Sequence, residues 1–239
     1  MPGTSVNGLP ADHPDWSLDG SRIAYTLVGK NGGTYPTTLQ QGYNGSIYVV
    51  NRNGGGWDAP INVVTPPDAH TNYYYPALAP DNSFLVMNRA QCLPAAAVDA
   101  SCWFDTAPTS KLFAALPQAN AQLVELVNAN KPGPMDKDAN ITNSYPKWSP
   151  FTFRRSGEFG SRLMWLTFAS KRRFGLRAQP ATINRNKADG EIVWMVGIDP
   201  DKISQGLDGS YVAFALPFQR LYKSNHIAQW TQKIVIPIT

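Results

Sequence analysis

The chain has 239 residues, a formal net charge of +4, and only 16% charged against 43% hydrophobic residues. So much apolar material excludes a disordered chain, which cannot bury enough surface to offset its ordering entropy. The mild positive charge, concentrated in only one stretch, argues against a nucleic-acid binder.

The first residues, MPGTSVNGLPADH, lack the charged and apolar regions of a signal peptide. This is expected of a processed exported form or of a chain that begins within a longer protein. No stretch reaches the ~18 apolar residues of a membrane helix. From His13 the sequence reads HPDWSLDGSRIAYT, a strand, an Asp19-Gly20 turn and a second strand. Ile23, Tyr25 and Leu27 alternate along that second strand. A third strand follows at Ser46–Gly56 and a fourth at Pro60–Thr65. The pattern returns at Tyr74–Asn88, with Asp81-Asn82 at the turn, then Lys111–Gln118 and Gln122–Asn128. Leu123–Val127 equally suits a short helix on propensity; its place in the repeat assigns it to a strand. A third copy runs Ser144–Phe153, Arg162–Ser170, Glu191–Pro200 and Ser210–Phe218. A shortened fourth spans Asn225–Ile238.

The unit is four strands with short turns, which is one propeller blade. The predicted fold is therefore all-β, a β-propeller of four-stranded antiparallel blades in one domain, 1–239. Blades fall at about 11–66, 72–130 and 144–219, with a half-blade at 224–239. Closed rings carry four to eight blades. An incomplete ring of three and a half would expose sheet faces and edges at both ends, and such surfaces need cover.

The run Pro-x-Trp-Ser-x-Asp-Gly-x-x-Ile-Ala-Tyr at Pro14–Tyr25 resembles the signature of TolB-like propeller repeats. Ile47-Tyr48-Val49-Val50 before Asn53-Gly54-Gly55, and Thr167–Gly175, are also similar to that family. The later copies depart from it: Leu78 replaces the tryptophan of the second, and Phe151-Thr152 replaces Asp-Gly in the third. The resemblance implies an extracytoplasmic protein, periplasmic or at the cell surface. It also implies that the residue starting the innermost strand lies near one mouth of the ring.

The only cysteines, Cys92 and Cys102, flank an Ala- and Pro-rich insert. A disulfide pinning a surface loop is the expected reading and implies an oxidising compartment; two free thiols are the alternative. CxxC, CxxCH and paired-Cys zinc patterns are all missing from the sequence.

His13 and His226 start copies of the innermost strand and are candidate ligand-lining residues, against a structural role in bonding between blades. From Arg154 to Lys187 the chain is strongly basic; Arg172, Arg173 and Arg177 are candidates for an anionic ligand or acidic partner. In the TolB-like resemblance, Arg172-Arg173 instead matches a basic pair with a structural role between blades. Trp103, beside Cys102, is a candidate contact residue. Trp16, Trp148 and Trp230 recur at one blade position, as inter-blade packing residues do. An EF-hand alignment from Asp199 puts Ser210 where the bidentate Glu belongs, so 199–210 reads as a plain connection. GxSxG and HExxH do not occur, so the chain is expected to be neither an enzyme nor a holder of metal or cofactor. The leading expectation is a non-catalytic scaffold bound to a protein partner or further propeller segment in a larger complex. A non-catalytic part of a propeller-containing enzyme or redox complex, and a carbohydrate- or anion-binding module, are the alternatives.

Overall fold

The computed structural model describes residues 5–6, 8–29, 41–93, 100–133, 136, 141–154, 161–172, 191–219 and 225–231. Among them, three antiparallel sheets follow one another along the chain. The first holds β1 (Ser5–Val6), β2 (Leu9–Trp16), β3 (Arg22–Leu27), β4 (Ser46–Asn53), β5 (Gly56–Trp57) and β6 (Ile61–Val64); β2-β3-β4-β6 is its four-stranded body. The second holds β7 (Thr71–Leu78), β8 (Leu85–Gln91), β9 (Lys111–Ala115) and β10 (Val124–Glu125), and is followed by α1 (Val127–Asn130). The third holds β11 (Ser144–Arg154), β12 (Arg162–Ser170), β13 (Ile192–Ile198) and β14 (Phe214–Ala215), with α2 (Pro200–Ser204) before β14.

Each sheet has two apolar faces, because successive side chains point to opposite sides. Stacking is the way to bury both. Ala24, Ile47, Val49 and Val63 pack against Tyr73, Leu85 and Met87. The other face of the second sheet, with Phe84, Val86, Leu112 and Ala114, packs against Met164, Leu166 and Phe168. The result is a partial β-propeller.

The innermost strands β2, β7 and β11 share a device. His13 (φ 49°), Tyr75 (φ 48°) and Tyr145 (φ 51°) lie in the left-handed region, each at a register shift against the neighbouring strand and each followed by proline. Left-handed backbone is uncommon for such bulky residues, so the bulge must be held by its surroundings. Ile227 (φ 57°) repeats it, and Trp230 follows three residues on, as Trp16, Leu78 and Trp148 follow their bulges. Residues 225–231 thus occupy the place of a fourth innermost strand.

Short turns join the first two strands of the first two blades. Gly20 (φ 69°) and Asn82 (φ 61°) supply the positive φ. Asp19 and Asp81 accept hydrogen bonds from the backbone and hydroxyl of Ser21 and Ser83. In the third blade Phe151-Thr152 does not turn. After a shift at Trp148, β11 continues, pairing Phe153 with Leu163 and Arg154 with Arg162.

The outermost strands are shorter than expected, two residues each in β10 and β14. Side-chain amides extend the pairing instead. Asn130 accepts from the Leu112 N–H and donates to its carbonyl, at 2.8 and 2.9 Å. Gln219 does the same for Val193, at 2.6 and 2.7 Å. Leu112 and Val193 hold equivalent positions in their blades.

The two ends of the arc differ. On the first sheet the outer face is buried at Ile23, Tyr25, Leu27 and Val50, which corrects the expectation of exposure at both ends. The third sheet's outer face carries Phe151, Phe153 and Phe214, each more than 40% exposed.

Candidate binding site at the propeller mouth

The innermost strands start, the second strands end and the third strands begin at one mouth of the arc. Among the described residues, the connections from β3 to β4, from β8 to β9 and from β12 to β13 start and end at this mouth. The cystine Cys92–Cys102 pins the second of them. Both cysteines are buried beside Tyr43, and the Cys102 carbonyl accepts from the Gly42 N–H. A Cβ at Gly42 would overlap the Phe104 ring, so glycine there lets the pinned loop press Phe104 inward.

Phe104 meets the bulge residues. The His13 ring lies 4.1 Å from Tyr75 and 4.4 Å from Phe104; Tyr75 lies 4.4 Å from Tyr145, and Tyr145 lies 5.8 Å from His226. Burial lowers the His13 imidazole to about 4, overriding nearby Asp12, and Lys147 lowers it further. It is neutral at pH 7, with Nδ1 buried and unpartnered.

Beneath the rings lies a polar layer. Glu191, just before β13, is 3% exposed, and its Oε1 has no hydrogen-bond partner. Burial pushes its carboxyl up to about 8; Lys171 opposes this and Asp105 adds to it. Asp105 Oδ1, Ser144 Oγ and Asn88 Oδ1 are also buried without partners, and the Tyr74 hydroxyl lies beside Ser110. Burial raises the phenols of Tyr74, Tyr75 and Tyr145. The neighbouring Asn88 amide nitrogen donates to Ser110 Oγ (3.0 Å) and to the Asn143 carbonyl (2.6 Å), tying the second blade to the start of the third.

Of the residues singled out from sequence, His13 lies in this cluster. His226 is exposed at its edge, but it is not the counterpart of His13. Counting back from Trp230 aligns His226 with Asp12, Tyr74 and Ser144, while Ile227 takes the bulge position. Arg172 is not at the surface. It is 3% exposed and donates to the carbonyls of Lys131 and Ala129, to Asn143 Oδ1 and to Ser170 Oγ. Its guanidinium also lies over the Phe168 and Trp194 rings. Desolvation lowers it to about 10. Arg172 therefore clamps the second blade to the third. Arg173 and Arg177 lie outside the described residues. Trp103 is half-buried, bridges to Gln41, and its carbonyl accepts from Thr106 and Ala107.

Trp148 donates to the Ala77 carbonyl at 2.9 Å and lies edge-on to Phe84 across the blade interface. Trp16 is 52% exposed and lies edge-on to Trp57 of its own sheet. The aspartates of 199–210 serve the chain itself: Asp199 caps α2, Asp201 pairs with Arg162, and Asp208 accepts from Ser210.

Sequence reading missed Glu191, Asp105 and the tyrosines. One signal was available: an aromatic ring recurs three residues before Trp16, Leu78 and Trp148, at His13, Tyr75 and Tyr145. Among the described residues, no group of three or more His, Cys, Asp or Glu could hold a metal ion, and no helix is long and apolar enough to cross a membrane.

No family model and no curated protein matches the chain. Solved structures similar to it include hydrazine synthase of Kuenenia stuttgartiensis, at 13% identity and TM-score 0.37, covering 80% of this chain and 40% of that one. Another is a putative TolB from Agrobacterium tumefaciens, at 12% and 0.41, covering 87% and 60%. A third is prolyl oligopeptidase B from Galerina marginata, at 12% and 0.35, covering 79% and 19%. The chain thus spans 60% or less of each of these, and likeness at this level adds nothing to the propeller architecture read from the sheets themselves.

Proposed function

We propose that the chain is a non-catalytic propeller scaffold. It docks β-strands of a protein partner onto the outer face of its third blade, within an extracytoplasmic complex. The observation that carries this reading is a register equivalence. Ala24, Thr26, Ile47 and Val49 of the first blade match Val86, Asn88, Leu112 and Ala114 of the second, position by position, and each is completely buried under the next blade. Their third-blade counterparts are Thr167, Ala169, Val193 and Met195; the first three are already buried within the chain and Met195 is half-buried. Thr167, Val193 and Met195 line an apolar groove of about 800 Å³ beside Trp230.

One strand's worth of the next blade is already seated. Trp230 donates to Thr167 Oγ1 at 3.1 Å, and Thr167 Oγ1 donates to the Lys147 carbonyl at 3.0 Å. Lys147 is the counterpart of Ala77, whose carbonyl receives Trp148 directly. The groove is continuous with this blade-type contact, so it fits strands with apolar residues at alternate positions. The buried cystine supports an oxidising compartment.

A photo-crosslinking residue at Met195, introduced in producing cells, tests the reading. One discrete adduct with a different protein is expected, lost on Trp165→Glu. An adduct with a second copy of this chain, or none, would overturn it.

A further inference from the structure

We propose that a pocket on the second blade binds a small organic carboxylate, held between the Arg89 guanidinium and the Lys111 ammonium. The inference is independent of partner docking at the third blade.

The pocket holds about 280 Å³, and its lining includes Arg89, Lys111, Phe113 and Glu125. Strand register brings these four together. Arg89 of β8 stands directly opposite Lys111 of β9, and Phe113 of β9 stands opposite Glu125 of β10. Lys111 and Phe113 are two residues apart, so all four side chains share one face of the sheet. It is the face on which Met87 and Phe113 meet the first blade.

Two cations directly opposite one another repel. One carboxylate answers them: Glu125 pairs with Lys111 at 2.8 Å. Among the described residues, Arg89 makes no ion pair and no side-chain hydrogen bond. It is nevertheless held in place. Its Nε is enclosed without a partner, and its guanidinium lies over the buried Phe113 ring, 5.4 Å from the centroid. The stem is thus set into the wall and the planar fork is stacked, while its two terminal nitrogens are not enclosed and can reach a ligand.

The charge left over selects the ligand. Two cations and one carboxylate leave a single positive charge, which a monoanion balances. The two coplanar oxygens of a carboxylate match the two terminal nitrogens of the fork. Lys111 uses one N–H on Glu125 and keeps two of its three donors. A phosphate dianion would exceed the available charge and meet twice the repulsion from Glu125. The volume lies just below the ~300–1,000 Å³ of sites for drug-sized ligands, which suits a small acid.

A saturation-transfer NMR titration of the whole chain with propionate tests this. Saturable binding is expected. Arg89→Gln should weaken it at least tenfold. Arg89→Lys should weaken it several-fold although the charge is kept, because the fork is lost. Glu125→Gln should tighten it several-fold by removing the opposing charge. If Arg89→Gln fails to fold, Lys111→Gln serves, again with at least a tenfold loss. Absence of saturable propionate binding, tighter binding of inorganic phosphate, or a folded Arg89→Gln or Lys111→Gln variant that binds as the wild type does would overturn the proposal.

Discussion

Lys147 reaches Asp15 at 3.4 Å, joining the innermost strands of the first and third blades. The other oxygen of Asp15 accepts from the Leu78 N–H of the second blade at 2.8 Å. One carboxylate therefore ties three blades together near the axis. Its carboxyl is nevertheless raised, because burial outweighs the help from Lys147 and the Leu78 N–H.

Removing the cation leaves a half-buried carboxylate with a single partner. Lys147→Met is expected to lower unfolding free energy by about 1–2 kcal/mol, below the full value of a buried pair because Lys147 is partly exposed. The loss should shrink in acid, where the raised Asp15 protonates and no longer needs the lysine. Urea unfolding at pH 7 and pH 4 measures both; an equal loss at the two values would refute the account.

Arg172 is expected to matter for folding, not for anion capture. Arg172→Met leaves the Ala129 and Lys131 carbonyls and Asn143 Oδ1 without their donor. A loss of about 3 kcal/mol is expected, since buried acceptors retain their desolvation penalty. Arg172→Lys should recover little, because one ammonium cannot reproduce the planar fork. Binding to heparin should be unchanged in any variant that folds.

Glu191 sets a slope in stability against pH. Its folded value lies near 8, above the ordinary 4.5, so the folded state holds a proton that the unfolded chain releases. Stability should fall as pH rises towards 8 and level off above it. His13, lowered to about 4 from 6.5, acts oppositely: the unfolded chain binds the proton, and stability is lost as pH falls from 6.5 towards 4. Between pH 6.5 and 8 the slope from Glu191 stands largely alone. Glu191→Gln should flatten it in thermal melts, and a slope unchanged in that variant would count against the buried carboxyl.

Reducing the Cys92–Cys102 bond is expected to cost about 2–3 kcal/mol, as for a short closed loop. The effect should be local as well as global. Hydrogen exchange at Phe104–Ala107 should accelerate more than at β8 and β9. Uniform acceleration would mean the bond does not hold the mouth.

Strand alternation is a local property with period two, so the sequence by itself determined the blades. Ile23, Tyr25 and Leu27 against Ala24 and Thr26 already describe a sheet with two buried faces. Asp19-Gly20 marks a turn through glycine's tolerance of positive φ. The spacing of Trp16, Leu78 and Trp148 carries the repeat, and counting back from Trp230 would have separated His226 from the bulge position.

Other features were decided only by tertiary stacking. Phe151-Thr152 stays in strand because β12 pairs with it. Asn130 and Gln219 complete outer pairings that their own segments cannot make. Arg172 reads as a surface charge until the carbonyls of Ala129 and Lys131 arrive from the preceding blade. Glu191 and Asp105 come from two different connections and Tyr74 from β7, and no local pattern joins them. Stacking of the sheets about one axis brings these residues to the same mouth, where burial, rather than sequence spacing, sets their chemistry.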